Sequence, residues 1–165
     1  TRTLFNVLGP LVNPARPPYA LIGVYHEDLV RPIAETLNLL GYKRAMVVHG
    51  SGVDEVALHG PTKVAELNGG KIDEYEVVPQ DFGLNSHPLS MLVGGTPDEN
   101  RASLLKMLEG RAPEAHEHAV AINVAMLLKL FGNEDLKENA ATALASIREG
   151  RALALLNTIT GKEVQ

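Results

Sequence analysis

A short unbroken apolar run, an amphipathic stretch and a second apolar run follow one another between residues 20 and 49, and this succession constrains the fold more than any other feature. Ala20-Leu21-Ile22-Gly23-Val24-Tyr25 has no polar alternation, the mark of a strand buried on both faces. Leu29, Ile33, Leu37 and Leu40 recur every three or four residues, which gives a helix one apolar face, and Gly41 is placed to end it. Arg44-Ala45-Met46-Val47-Val48-His49 is a second buried strand. Strand, helix and strand within about thirty residues make a βαβ unit, so the two strands are expected to lie parallel.

The pattern then changes. Thr62–Leu67 and Lys71–Val77 alternate polar and apolar residues around Asn68-Gly69-Gly70, which predicts a β-hairpin with one face in water. Pro79 to Ser90 reads as a loop. Thr96-Pro97-Asp98-Glu99 is a helix start, with Thr96 as N-cap, Pro97 at the first position and Glu99 closing a capping box. Leu104, Leu105 and Leu108 are expected to form the buried stripe of that helix. Further helices are expected over 114–130, 136–148 and 152–156, with Gly132 and Gly150 after the first two.

The candidate site lies where the second strand ends, at His49-Gly50-Ser51-Gly52-Val53-Asp54-Glu55. Open α/β sheets bind ligands at the carboxyl ends of their strands. Adjacent carboxylates are hard oxygen ligands suited to Mg²⁺, which commonly arrives with substrate phosphates. Asp54 and Glu55 equally fit the polar first turn of a helix. Gly50 and Gly52 either cradle a phosphate or permit a tight turn; the spacing matches neither a P-loop nor the dinucleotide fingerprint. The six histidines are not expected to assemble a metal site, since His116 and His118 stand two apart on a helix. Asn123 reads as a hydrogen-bonded packing residue. Pro10 and Gly9 could wall a flat aromatic substrate or form a structural crossing.

Composition narrows the classes. The chain has 165 residues and a net charge of −5 without a basic block, which argues against nucleic acid as a partner. No apolar run reaches the ~20 residues of a membrane helix. Cysteine is absent, which removes disulfides and thiolate chemistry and fits a cytoplasmic protein.

Arg2-Thr3-Leu4-Phe5-Asn6-Val7-Leu8-Gly9-Pro10-Leu11-Val12-Asn13-Pro14 resembles the signature of the anthranilate phosphoribosyltransferases. Val47–Glu55 is similar to that family's Gly-x-Asp-Glu element. Asp81-Phe82-Gly83-Leu84 and Gly94-Gly95-Thr96-Pro97-Asp98-Glu99-Asn100 resemble further family blocks in the same order. The first block is also similar to the pyrimidine nucleoside phosphorylases, which share the fold; a non-catalytic binding relative is a third reading. The resemblance implies an α/β fold: part of a three-layer α/β/α domain with a mostly parallel mixed sheet, a β-hairpin and C-terminal helices. It implies transfer of the 5-phosphoribosyl group of phosphoribosyl pyrophosphate (PRPP) to anthranilate, releasing pyrophosphate, in tryptophan biosynthesis. By similarity Asp54 and Glu55 hold magnesium, two Mg²⁺ ions accompany the pyrophosphate, and Pro10 with Gly9 lines the anthranilate channel.

The departures shape the domain expectation. The family's Gly-Thr-Gly-Gly-Asp pyrophosphate loop, its Lys-His-Gly-Asn element, the arginine for the anthranilate carboxylate and its N-terminal helical dimerisation domain all belong upstream of Thr1. Ala57 stands where a Ser is common. Residues 1–165 are therefore expected to be the C-terminal portion of the catalytic α/β domain, inactive alone, from a homodimeric enzyme. A fused or associated glutamine amidotransferase/anthranilate synthase component is a further partner the resemblance leaves open.

Overall fold

The computed structural model describes residues 9–161; the Arg2–Leu8 part of the signature lies outside them. Four strands form one sheet in chain order: β1 (Tyr19–Gly23), β2 (Arg44–Gly50), β3 (Thr62–Asn68) and β4 (Lys71–Val77). β1 and β2 pair parallel, with Ile22 opposite Val47, and helix α1 (Val30–Leu39) connects them, as the βαβ pattern predicts. β2–β3 and β3–β4 pair antiparallel. Among the described residues the sheet is thus mixed, and the parallel majority expected of the whole domain is not carried by these four strands. The hairpin's turn forces that outcome, with Gly69 at φ 57° and Gly70 at φ 89° reversing the chain directly into β4.

Three layers result. Val30, Ile33, Ala34 and Leu37 of α1 pack on Ile22, Ala45, Val47, Ala65 and Leu67. On the opposite face Met46, Val48, Val64 and Val77 pack against Ile122, Ala125, Met126 and Leu130 of α3 (Glu114–Leu130) and Ala140 of α4 (Leu136–Arg148). β2 reads as a continuous apolar run because Ala45 and Val47 face one helical layer while Met46 and Val48 face the other. β1 is less buried than its composition suggests, since it lies at an edge of this sheet.

The hairpin differs from expectation on its water-facing side. β3 is buried along both faces, because it lies between β2 and β4 and under both helical layers; only β4 is largely exposed. Glu66 is charged yet buried. Its carboxylate accepts from Arg44 at 2.6 and 3.0 Å and from the Tyr75 hydroxyl at 2.7 Å, with Lys129 Nζ at 3.2 Å. Burial alone would push this carboxyl up; hydrogen bonds from Arg44, Tyr75 and Lys129 hold it below its ordinary value. Arg44 and Lys129 also reach Glu134, so the network ties the sheet to the α3–α4 turn.

Helix α2 (Pro97–Leu108) starts as predicted: Glu99 N–H donates to Thr96 Oγ1, and Thr96 N–H donates to Glu99 Oε2 at 2.7 Å. Its expected buried stripe is absent. No residue of α2 is buried, and Leu104 is 57 % exposed along an open cleft. α5 (Arg151–Thr160) runs past the expected stop at Leu156, with the Thr158 and Thr160 hydroxyls donating back to Ala154 O and Leu156 O.

A carboxylate loop at the end of strand β2

β2 delivers the chain at Gly50 into the loop that carries Asp54 and Glu55. Gly50 and Val53 exchange both backbone hydrogen bonds, at 2.9 and 3.0 Å, across Ser51 (φ 47°) and Gly52 (φ 97°). Positive φ at both central residues is the pattern of a type I′ turn, so the glycines here form a turn. The loop then lies flat on the sheet end. A Cβ on Gly23 would sit 1.5 Å from Asp54 O, and one on Gly50 would sit 2.3 Å from Glu55 O. Glycine at both positions is what lets the carboxylate pair approach the strand ends.

Three side chains from outside the loop, and His59 within it, fix its backbone. His49 Nδ1 donates to Val24 O at 2.8 Å, leaving Nε2 to accept from Gly52 N–H at 3.3 Å. His59 Nε2 donates to Ser51 O at 3.0 Å. Thr62 Oγ1 accepts from Ala57 N–H at 2.9 Å. Asn123, on α3, accepts from Val56 N–H at 3.1 Å and donates to Ala119 O at 2.9 Å. Asn123 is therefore the hydrogen-bonded packing residue expected, and its partner is the residue directly after Glu55. Its importance to the site was hidden from sequence, because the contact spans 67 positions.

Asp54 and Glu55 themselves are exposed, and neither side chain has a hydrogen bond or ion pair among the described residues. They do not start a helix; the next helix along the chain is a single turn at Pro79–Phe82. Two free carboxylates on a backbone fixed from several directions suit a hard divalent cation, and magnesium fits this donor set. Glu55 borders two clefts. One, about 590 Å³, opens towards Gly94, Gly95 and the Asn100–Leu104 face of α2, with His116 and Val120 of α3. The other, about 400 Å³, runs over Gly23, Asp54, Asn123 and Leu127. The Gly95 and Thr96 N–H groups are already engaged, by Asn100 Oδ1 and Glu99 Oε2.

The remaining sequence blocks divide. Asp81 accepts from Val78 N–H at 2.8 Å and Phe82 is buried, so Asp81–Leu84 acts structurally. Gly9 and Pro10 begin a single helical turn, Gly9–Leu11, and Gly9 is exposed. The following residues Leu11–Pro14 line a cleft with Leu39–Tyr42, which precede β2 and so lie at the opposite end of that strand from Asp54. One grouping of histidines was not anticipated from sequence: one ligand atom from each of His87, Glu114 and His118 lies within 4.8 Å of the others. His116 and His118 do diverge, His116 to Met91 O and His118 inward, but it is the loop residue His87 that meets His118. The one available signal was the i, i+4 spacing of Glu114 and His118.

A three-layer α/β domain with a carboxylate loop at its strand ends is matched along residues 1–153 by the model of the glycosyl transferase family, a/b domain, and the chain belongs to that family. Its relatives are more particular. It is 66 % identical over 152 residues to the anthranilate phosphoribosyltransferase of Pectobacterium atrosepticum, covering 92 % of this chain and 43 % of that protein. It is 59 % identical over 162 residues to the same enzyme of Serratia proteamaculans, covering 98 % of this chain and 49 % of that one. Among solved structures, anthranilate phosphoribosyltransferase from Thermus thermophilus superposes with a TM-score of 0.85 at 37 % identity, over 96 % of this chain and 47 % of that one. The Saccharomyces cerevisiae enzyme in complex with PRPP and Mg gives 0.83 at 31 % identity, over 95 % and 46 %. The chain thus spans about half the length of the curated relatives it matches. No helix among the described residues is long and apolar enough to cross a membrane.

Proposed function

We propose that residues 1–165 are the C-terminal portion of the catalytic α/β domain of an anthranilate phosphoribosyltransferase. The whole protein would transfer the 5-phosphoribosyl group of PRPP to the amine of anthranilate, giving N-(5-phosphoribosyl)anthranilate and pyrophosphate, a step of tryptophan biosynthesis in the cytoplasm. The observation that carries the reading is the pair of carboxylates, Asp54 and Glu55, unpartnered among the described residues and carried on a loop seated at the end of β2 by Gly23 and Asn123. It is supported by relatives of the same name and by a yeast neighbour with PRPP and Mg bound.

Asp54 and Glu55 would hold magnesium, two ions with each PRPP. Bound there, the metal would neutralise charge growing on the departing pyrophosphate, worth several kcal/mol at the transition state. The chain's own contribution is positioning. His49, His59 and Asn123 fix the backbone so the carboxylates need not reorganise during reaction. The anthranilate amine is already nucleophilic, so orientation counts for more than a strong base. Gly9 and Pro10 are assigned to the anthranilate channel on the family motif alone. The family pattern also supports a homodimer, and an isolated 165-residue chain without turnover.

The test is an assay of the intact protein with two substrate pairs. Anthranilate with PRPP and Mg²⁺ should give phosphoribosylanthranilate, while a pyrimidine nucleoside with inorganic phosphate should give no free base. Phosphorolysis without anthranilate turnover would replace this reading by the nucleoside phosphorylase, and turnover of neither pair would favour a binding relative.

A further inference from the structure

We propose that His87, Glu114 and His118 form a second metal site, distinct from the carboxylate loop and selective for a borderline transition ion such as Zn²⁺ or Co²⁺. His118 is 6 % exposed on a helix whose inward face is otherwise mostly apolar. Its Nδ1 lies 3.2 Å from His87 Nε2, and its Nε2 lies 3.6 Å from a carboxylate oxygen of Glu114. Zinc–nitrogen bonds of 2.0–2.1 Å set an edge of roughly 3.4 Å between two ligands of a tetrahedral ion. The two imidazoles already stand at that separation on the Nδ1 side of His118; the Glu114 carboxylate lies nearest the other ring nitrogen, has one oxygen within 4.8 Å of a ligand atom of each imidazole, and would turn towards the Nδ1 side to close the third edge. The fourth position would be water.

The donor chemistry selects the ion. Two imidazoles and one carboxylate suit Zn²⁺, Co²⁺, Ni²⁺ or Cu²⁺ and not Mg²⁺, which demands oxygen. The charges around His118 are compatible. Glu114 and Glu117 face it from its own helix, His87 from the loop and Arg148 from α4; the Arg148 charge is engaged by Glu117 at 2.9 Å. Asn85 donates to Glu114 at 3.2 Å, a partner that orients the carboxylate.

The site lies where the loop after the Pro79–Phe82 turn packs on α3 through Phe82 and Leu84. His87 follows the Pro79–Phe82 turn, and four residues on, Met91 O accepts from His116. The same strand of loop continues through Leu92 to Gly95, which wall the cleft beside Glu55. A metal here would staple that wall to the first turns of α3.

The experiment is titration of the metal-free intact protein with Co²⁺ alone, followed by Zn²⁺. One equivalent of Co²⁺ should give the intense visible bands of a four-coordinate site, and one equivalent of Zn²⁺ should bleach them and raise the melting temperature. His87→Ala and Glu114→Gln, the second at an exposed position that leaves folding intact, should each weaken Co²⁺ binding at least about tenfold. The double variant Asp54→Asn/Glu55→Gln should keep the bands. Absence of stoichiometric binding, bands that survive His87→Ala, or bands that vanish with Asp54→Asn/Glu55→Gln would each overturn the proposal.

Discussion

The carboxylate loop and helix α2 face each other across one cleft and are built on opposite principles. The loop, residues 51–60, has no regular structure, yet its backbone is fixed by Asn123 from α3, Thr62 from β3, His49 from β2 and two glycines that admit it to the strand ends. α2 has a complete capping box and proline at its first position, yet buries none of its residues. Order in the loop comes from distant contacts; order in α2 comes from its own sequence. The difference matters for chemistry, because a metal site needs ligands whose geometry is set before the ligand arrives, whereas a wall with apolar residues facing an open cleft can adjust to what enters.

Substitutions can break that contrast in graded steps. Gly23→Ala should have the largest effect, since its Cβ would fall on Asp54 O; the loop must move, at a cost of about 3 kcal/mol by overpacking. Denaturant unfolding would measure the loss, and an unperturbed stability would show the loop to be less tightly seated than described. Asn123→Ala leaves Val56 N–H without its partner and should cost about 2 kcal/mol. Faster amide exchange at Val56 is the specific readout, and exchange unchanged there would contradict the clamp. Thr96→Ala removes the α2 cap and should cost about 1 kcal/mol, with no change in exchange at Val56. Leu104→Ala should be the mildest, within about 0.5 kcal/mol, because the side chain faces an open cleft. A cost near that of a core leucine would mean α2 is packed in solution.

The same contrast explains what could be read from the chain. α3 and α4 have the expected bounds because Pro113, Gly132 and Gly150 punctuate them locally. The βαβ unit was legible for the same reason. Glu66 is charged yet buried, since Arg44, Tyr75 and Lys129 compensate its charge from three other elements. The buried stripe of α2 was misread because periodicity gives the apolar face of a helix and not what lies opposite. At the site, Asp54 and Glu55 stood out in the sequence as adjacent carboxylates, and the reading of them as a helix start was excluded only by their exposed, non-helical placement. The partners of Asn123 and His87 were illegible, because each contact bridges separate segments, Asn123 with Val56 and His87 with His118.

The proposed role of Asp54 and Glu55 is to bind magnesium for PRPP. Calorimetric titration of the intact protein with PRPP, at zero and saturating Mg²⁺, tests it most directly. Wild type should gain affinity with Mg²⁺, and Asp54→Asn/Glu55→Gln should lose most of that gain, at least about tenfold for a removed charge-assisted contact. An undiminished Mg²⁺ effect in the double variant would contradict the claim.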